Sequence, residues 1–289
     1  MPEMAAQEAR TLPVVGLLPR RRRLSVSALA GLSILAALIV LWAWGTLAPP
    51  HDPLATDPAS QLLPPGPGHL MGTDTYGRDV LSRVMAGAGL DLTIAASVTG
   101  ASFVVGILVG ALAGYHGGWI DDVVLRVVDV ILSFPAFVLA LAITVVLGNS
   151  VRNVVIAIAV AYTPYFVRLT RGEILSARRA DYADNARAIG NPSWRVVFLH
   201  LLPNCIMPAL VQASLTMGWS ILDASGLSFL GLGIKPPTPE WGVEVGEGAS
   251  NIVSGEWWTS VFPGLAITLA VLSFNLLGEA IQARFRPRR

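Results

Sequence analysis

Long apolar stretches alternate with polar intervals along this chain. Residues 24–48, 92–114, 123–147, 153–169, 205–231 and 259–280 are almost free of charge. A helix made of such a stretch crosses the roughly 30 Å hydrocarbon core of a bilayer. The pattern therefore predicts an all-α integral membrane protein with six transmembrane helices, which puts both termini on one side. It divides the chain into a tail 1–23, a first transmembrane helix 24–48, a Pro- and Gly-rich segment 49–89, a five-helix core 90–281 and a basic tail 282–289. A cleavable leader is the competing reading of the first stretch, because Arg20 to Arg23 precede it. The stretch is longer than the usual run of about 7–15 apolar residues, and Trp42, Trp44 and prolines follow it instead of a small-residue cleavage site. It reads as a retained span.

One polar interval, Asp181 to Asn204, carries unusually complete helix punctuation. Asp181 suits an N-cap, and Asp184 suits the N3 position, where a carboxylate faces the helix dipole. Tyr182, Ala183, Asp184, Asn185, Ala186 and Ile189 fall within about two helical turns, and Gly190 supplies a left-handed stop. Asn191-Pro192 opens a second helix with proline at N1, and Pro203 marks its end at Leu202. Two turns are too short to stand alone in water, so this helix must dock, on its own chain or on a partner.

Composition strengthens the membrane reading. Charged residues make up 13% of the chain and hydrophobic residues 53%, where a soluble domain carries about 25% charged. With the termini inside, the inner side collects Arg10, the Arg20–Arg23 run, Arg126, Arg168, Arg171, Arg178, Arg179, Arg187, Arg195, Arg284, Arg286, Arg288 and Arg289. The outer side receives Arg78, Arg83, Arg152 and Lys235. Cytoplasmic loops collect positive charge, so the termini and the Asp181–Asn204 interval are expected in the cytoplasm. Cys205 is the only cysteine, which excludes an intrachain disulfide or a cysteine metal cluster. The sole lysine, Lys235, sits in G-L-G-I-K-P-P and cannot complete a Walker A phosphate loop.

Three strings carry a family resemblance. Asp184-Asn185-Ala186-x(3)-Gly190-x(9)-His200-x-Leu202-Pro203 resembles the E-A-A-x(3)-G-x(9)-I-x-L-P loop of ATP-binding-cassette importer permeases, with aspartate for glutamate and Asn185 for the first alanine. His69 to Arg83 resembles the H-x-x-G-T-D-x-x-G-R-D-V-x-S-R segment of the dipeptide, oligopeptide and nickel branch. Leu227 to Gly242 resembles its L-S-F-L-G-L-G-x-x-P-P-x-P-x-W-G signature. The resemblance is to the second, C-type permease and covers nearly everything after the first tail. It implies a type I importer permease fold in the plasma membrane, translocating dipeptides or oligopeptides by alternating access, or nickel chelates or haem. It also implies four kinds of contact: a second related permease in a heterodimer, two ATP-hydrolysing subunits or domains, an extracytoplasmic binding protein and the lipid bilayer. No nucleic acid is among them, and ATP with magnesium belongs to the partners. Residues 181–204 would be the ATPase-coupling loop, with His200, Leu202 and Pro203 in its second half.

No catalytic constellation emerges. His51, His69, His116 and His200 lie far apart, with neither an H-E-x-x-H nor a G-x-S-x-G pattern. A metal set of His69, Asp74 and Asp79 is weaker than a turn pinned by charge-assisted hydrogen bonds, so no metal residue is assigned. Inside the spans, Arg126 and Asp129 can neutralise each other at i,i+3. Asp223 either lines a translocation path, with Trp219 beside it and a kink at Pro135, or is a buried hydrogen-bonded carboxyl. Gly100, Ala101, Gly106, Gly110 and Gly114 would let the second helix approach a neighbour closely. Trp241, Trp257 and Trp258 suit the membrane interface. An ion-gradient-driven secondary transporter is the rival class, but the sequence shows neither an internal repeat nor a cluster of intramembrane acids.

Overall fold

The computed structural model describes residues 25–285, apart from the side chain of Phe285. The Arg20–Arg23 run, the rest of the first tail and residues 286–289 lie outside the described residues. Every named element within them is helical: α1 (Val26–Leu47), α2 (Val80–His116), α3 (Gly118–Leu132), α4 (Ala136–Leu147), α5 (Val151–Ala177), α6 (Asp181–Ala188), α7 (Ser193–Arg195), α8 (Leu202–Cys205), α9 (Met207–Phe229), α10 (Trp241–Gly248), α11 (Asn251–Ser254) and α12 (Trp258–Phe285), with single 3-10 and π segments at Pro58–Ser60 and Val196–Leu201. Four helices are long and apolar enough to cross a membrane. With the bent pairs α3–α4 and Ser193–Cys205 plus α9 counted as one span each, there are six.

Local chemistry sets these boundaries. Ser25, Asp79 and Ser150 cap α1, α2 and α5 by accepting from backbone N–H groups of the first turn. Pro135 does more than kink its span. It closes the break Ser133–Pro135, across which α3 and α4 bend by 88°, because proline offers no N–H and restricts the residue before it. Pro203, by contrast, does not end a helix. The π segment Val196–Leu201 runs directly into α8, which begins at Leu202 and takes Pro203 in its first turn, where a missing N–H costs nothing.

The α2–α5 pair makes the largest helix contact. Gly106, Gly110 and Gly114 repeat every four residues along α2 and face α5. An added Cβ would lie 2.3 Å from Phe166 Cβ at Gly106, 2.6 Å from the Val167 carbonyl oxygen at Gly110 and 2.7 Å from that of Arg171 at Gly114. This is the small-residue approach that helices use when lipid removes the hydrophobic drive between them. Gly100 faces open space and takes no part in the seam.

α2 has 37 residues, hence a length of about 55 Å, which exceeds the hydrocarbon core. Its first three turns, Val80 to Leu90, are largely buried under the 49–79 segment and α10 instead of facing lipid. α12 packs between α1 and α9. The start of α1 (Gly31) touches the end of α12 (Ser273, Leu276 and Leu277), while the end of α1 (Gly45) touches the start of α2 (Met85). Ser25 and Phe285 therefore stand at one end of the bundle, the end that also carries α6.

Candidate functional site

α6 is short and docked on its own chain. Ala180 is its N-cap and makes no side-chain cap bond, so Asp181 opens the helix and Asp184 stands one position later than the N3 expected from sequence. Asp184 instead pairs with Arg187 one turn on, and Arg187 also donates to the Arg178 carbonyl at 3.0 Å. Gly190 has φ +81° and follows the helix as the left-handed stop. Asn191 then turns back, its side-chain amide donating to the Ala186 carbonyl at 3.0 Å. Pro192 is the N-cap of α7 and not its first residue.

Two faces result. Ala183 and Ala186 are buried in a cluster with Val196, Val197, Leu201, Cys205, Ala111 and Ile174. Alanine at these two positions lets α6 lie close on the π segment. Away from the chain, Tyr182, Ile189, Trp194 and Leu199 are exposed, Ile189 at 78%, with Asn185 also exposed and Arg195 stacked over Trp194 at 5.4 Å. Tyr182, Asn185 and Ile189, at i, i+3 and i+7, share one helical face and form a ridge beside the exposed Asp181 and Asp184. His200 is half-buried, Leu202 half-buried and Pro203 exposed. Arg178 ties the base of the loop to α2, donating to the Gly114 and Tyr115 carbonyls at 3.0 and 2.8 Å.

Inside the bundle, Asp223 is buried and accepts a hydrogen bond from the Tyr162 hydroxyl at 2.9 Å. Of the two readings left open by sequence, the hydrogen-bonded carboxyl is the one present in the single chain. Trp219, one turn earlier on α9, is 53% exposed. Asp129 does not pair with Arg126; it reaches across to Arg168 of α5, while Asp121 takes Arg171 at 2.9 Å. Both pairs tie α3 to α5, a long-range choice that i,i+3 spacing could not reveal.

Residues 106–289 match the family model of the binding-protein-dependent transport system inner membrane component. The chain belongs to this family. The permease is 38% identical to the dipeptide transport system permease protein DppC of Alkalihalophilus pseudofirmus, over 90% of this chain and 86% of that one. It is 38% identical to the probable D,D-dipeptide transport system permease protein DdpC of Escherichia coli, over 88% and 85%. It is 37% identical to the glutathione transport system permease protein GsiD of Pectobacterium atrosepticum, over 92% and 88%. Membership makes the protein an inner-membrane transport component and not a catalyst in its own right.

At the opposite end, the permease buries a charge network that sequence reasoning resolved only in part. The expected pinned turn is present: Asp74 accepts from the Tyr76 and Arg78 backbone and from Arg78 Nε at 2.6 Å, and Arg78 also donates to Glu247 at 2.7 Å. Arg83 donates to the Pro53 and Pro237 carbonyls. Trp241 and Trp258 are not interfacial anchors. Both are buried, and their indole N–H groups donate to the Val84 and Thr73 carbonyls; Trp257 alone of the three is exposed. Asp91, Glu240 and Glu244 meet where α10 wedges against α2, all buried. Glu240 caps α10 by accepting from the Val243 N–H at 2.7 Å, and Asp91 accepts from that of Trp241 at 3.1 Å. Asp91 precedes Glu240 and Glu244 by about 150 residues of sequence, so only the fold brings it to them. The available signal was the repeated acidic spacing of Glu240, Glu244 and Glu247 beside prolines.

Burial pushes the Glu244 carboxyl up to about 8, against the nearby Arg83 guanidinium and with help from Glu240. Its ordinary value is 4.5, so its contribution to stability is complete below that value and is lost as pH rises through about 8. The unfolding temperature of detergent-solubilised permease is therefore expected to fall between about pH 5 and about pH 8, and Glu244→Gln is expected to flatten that slope. An identical slope in the variant would mean that Glu244 is already ionised in the fold.

Proposed function

We propose that this permease translocates dipeptides or oligopeptides into the cell as one membrane subunit of an ATP-driven importer working by alternating access. One observation carries the substrate class: relatives 37–38% identical along nearly their whole length are permease proteins of dipeptide, D,D-dipeptide and glutathione transport systems. The partners in this reading are a second related permease, two ATPase subunits or domains, and an extracytoplasmic binding protein. ATP and its magnesium ion bind to the ATPases. The exposed ridge of Tyr182, Asn185 and Ile189 seats in a cleft of an ATPase, and Asp181 and Asp184 flank it. Because Ala183 and Ala186 fix α6 to the π segment, a push on the ridge passes to α2 and α5 through Ala111 and Ile174.

Gly190 is the point at which this coupling is most easily broken. A Cβ there meets nothing within 4 Å, so the cost of Gly190→Val is backbone strain of about 1–2 kcal/mol, confined to the loop. The variant is expected to insert and to lose most peptide uptake in a strain lacking only this gene, with ATP hydrolysis no longer stimulated by binding protein. Wild-type uptake by Gly190→Val would remove the loop from the coupling path, and uptake of no peptide by the wild-type complex would overturn the substrate class.

The termini and α6 stand in the cytoplasm in this reading. Support comes from Arg126, Arg168, Arg171, Arg178, Arg179, Arg187 and Arg195, which belong to the α6 end. Single cysteines at Ala59 and Ala177, in a Cys205→Ser background, are expected to react with a membrane-impermeant thiol reagent from opposite sides. Reaction of both from outside intact cells would refute the orientation.

The Pro135 break and Trp219 border the path between the two permeases, while Asp223 shapes it through Tyr162. Asp223→Asn is expected to keep both assembly and uptake, and Asp223→Ala to lower the amount of assembled complex more than uptake per complex. A several-fold loss of uptake per assembled Asn complex would instead place the charge itself in the path.

A further inference from the structure

The segment between α1 and α2 brings together three side chains that the transport reading does not use. His69 Nδ1 lies 2.9 Å from Asp79 Oδ1, and His51 Nδ1 lies 3.7 Å from the same oxygen. One donor atom from each of the three residues falls within 4.8 Å of the others. The two imidazoles stack with centroids 4.6 Å apart. Asp74, the residue that sequence spacing would have put with His69 and Asp79, turns away to Arg78, and His51 takes that place from beyond the end of α1.

We propose that His51, His69 and Asp79 form a binding site for one divalent late-transition-metal ion, with zinc the best-fitting member, which clamps the start of the 49–79 segment to the N-terminus of α2. The donor set is two imidazole nitrogens and one carboxylate oxygen, a combination that suits zinc and its neighbours and not calcium or magnesium. Metal–ligand bonds of about 2.0–2.2 Å on a tetrahedral ion set donor atoms about 3.3–3.5 Å apart. The observed 2.9 and 3.7 Å separations from Asp79 Oδ1 bracket that spacing, and with all three donors within 4.8 Å of one another the two imidazoles close toward each other to admit the ion.

The carboxylate is already held from behind, and the backbone of both histidines is fixed. Asp79 is 3% exposed and uses its other oxygen, Oδ2, to accept from the Ser82 N–H and hydroxyl at 2.8 and 2.7 Å. Oδ1 therefore points to the histidines without help from the ion. The Ser82 hydroxyl oxygen in turn accepts from the His51 backbone N–H at 3.0 Å. His69 exchanges backbone bonds with Gly66 in both directions. His51 is the exposed member, with 44% of its side chain accessible; its ring supplies the remaining movement and the route of entry. Fixing the carboxylate through an outer partner is part of what a metal site needs from its surroundings.

The site is tested on the full chain purified without a histidine tag, stripped with chelator and titrated with zinc chloride against a chromogenic competitor. One equivalent is expected to bind. His51→Gln and His69→Gln are each expected to weaken it at least about tenfold, the low end of what losing even an outer-shell partner costs, while His116→Ala and His200→Ala leave it unchanged. Cobalt(II) bound in place of zinc is expected to show visible d–d bands without a thiolate charge-transfer band, which separates this set from Cys205. Because the His51 side chain is exposed, His51→Gln is expected to retain the wild-type unfolding temperature without metal, so its loss of affinity reports ligation. Absence of stoichiometric binding by the wild-type chain, or unchanged affinity in His51→Gln, overturns the proposal.

Discussion

Backbone-close packing of α2 on α5 is the constraint on which the rest depends. Three glycines on one face of α2 bring its backbone against the carbonyls of Val167 and Arg171, a separation no larger residue would permit. In lipid, where apolar side chains gain little by leaving one apolar medium for another, such van der Waals contact is the main source of helix association. α2 extends beyond the seam in both directions. Its first turns hold the acids and arginines packed against α10, and its last turn receives Arg178 from the start of the α6 loop. The two ends of the bundle are thus attached to one rigid pair.

At the α6 end, stability comes from docking and not from the helix itself. Eight residues are too few for a free helix, and α6 has no side-chain N-cap. Its order rests on two buried alanines, on Gly190 and on Asn191. The outward surface mixes exposed apolar side chains, Ile189 and Trp194 among them, with exposed Asp181, Asp184, Asn185 and Arg187.

The α10 end uses the opposite strategy. Arg78 and Arg83 are almost fully buried among Asp74, Glu244 and Glu247. Buried ion pairs recover their desolvation cost only when nearly every donor and acceptor is occupied; Arg83 Nη1 reaches the Pro53 and Pro237 carbonyls, while Arg83 Nη2 and both Glu244 oxygens make no hydrogen bond, so the network contributes little net stability. What the network gains is registration: it fastens α10, the 49–79 segment and the start of α2 to one another across 170 residues of chain.

Sequence by itself determined the membrane class, the all-helical architecture, the extent of the short docked helix through Gly190 and the pinned turn around Asp74. Each of these depends on local composition or on residues within a few positions of one another, and hydropathy, glycine and proline act at that range. Tertiary structure alone decided which charges meet. Asp129 has Arg126 three residues away and takes Arg168; Trp241 looks like an interfacial anchor and is a core residue; Asp91 joins Glu240 and Glu244; His51 and not Asp74 stands beside His69. Helix boundaries near proline followed the same rule, with Pro135 breaking its span and Pro203 continuing into α8 behind a π segment. A side chain's hydrophobicity is written in its identity, whereas the partner of a charge is fixed by whichever opposite group the packed helices bring within about 4 Å.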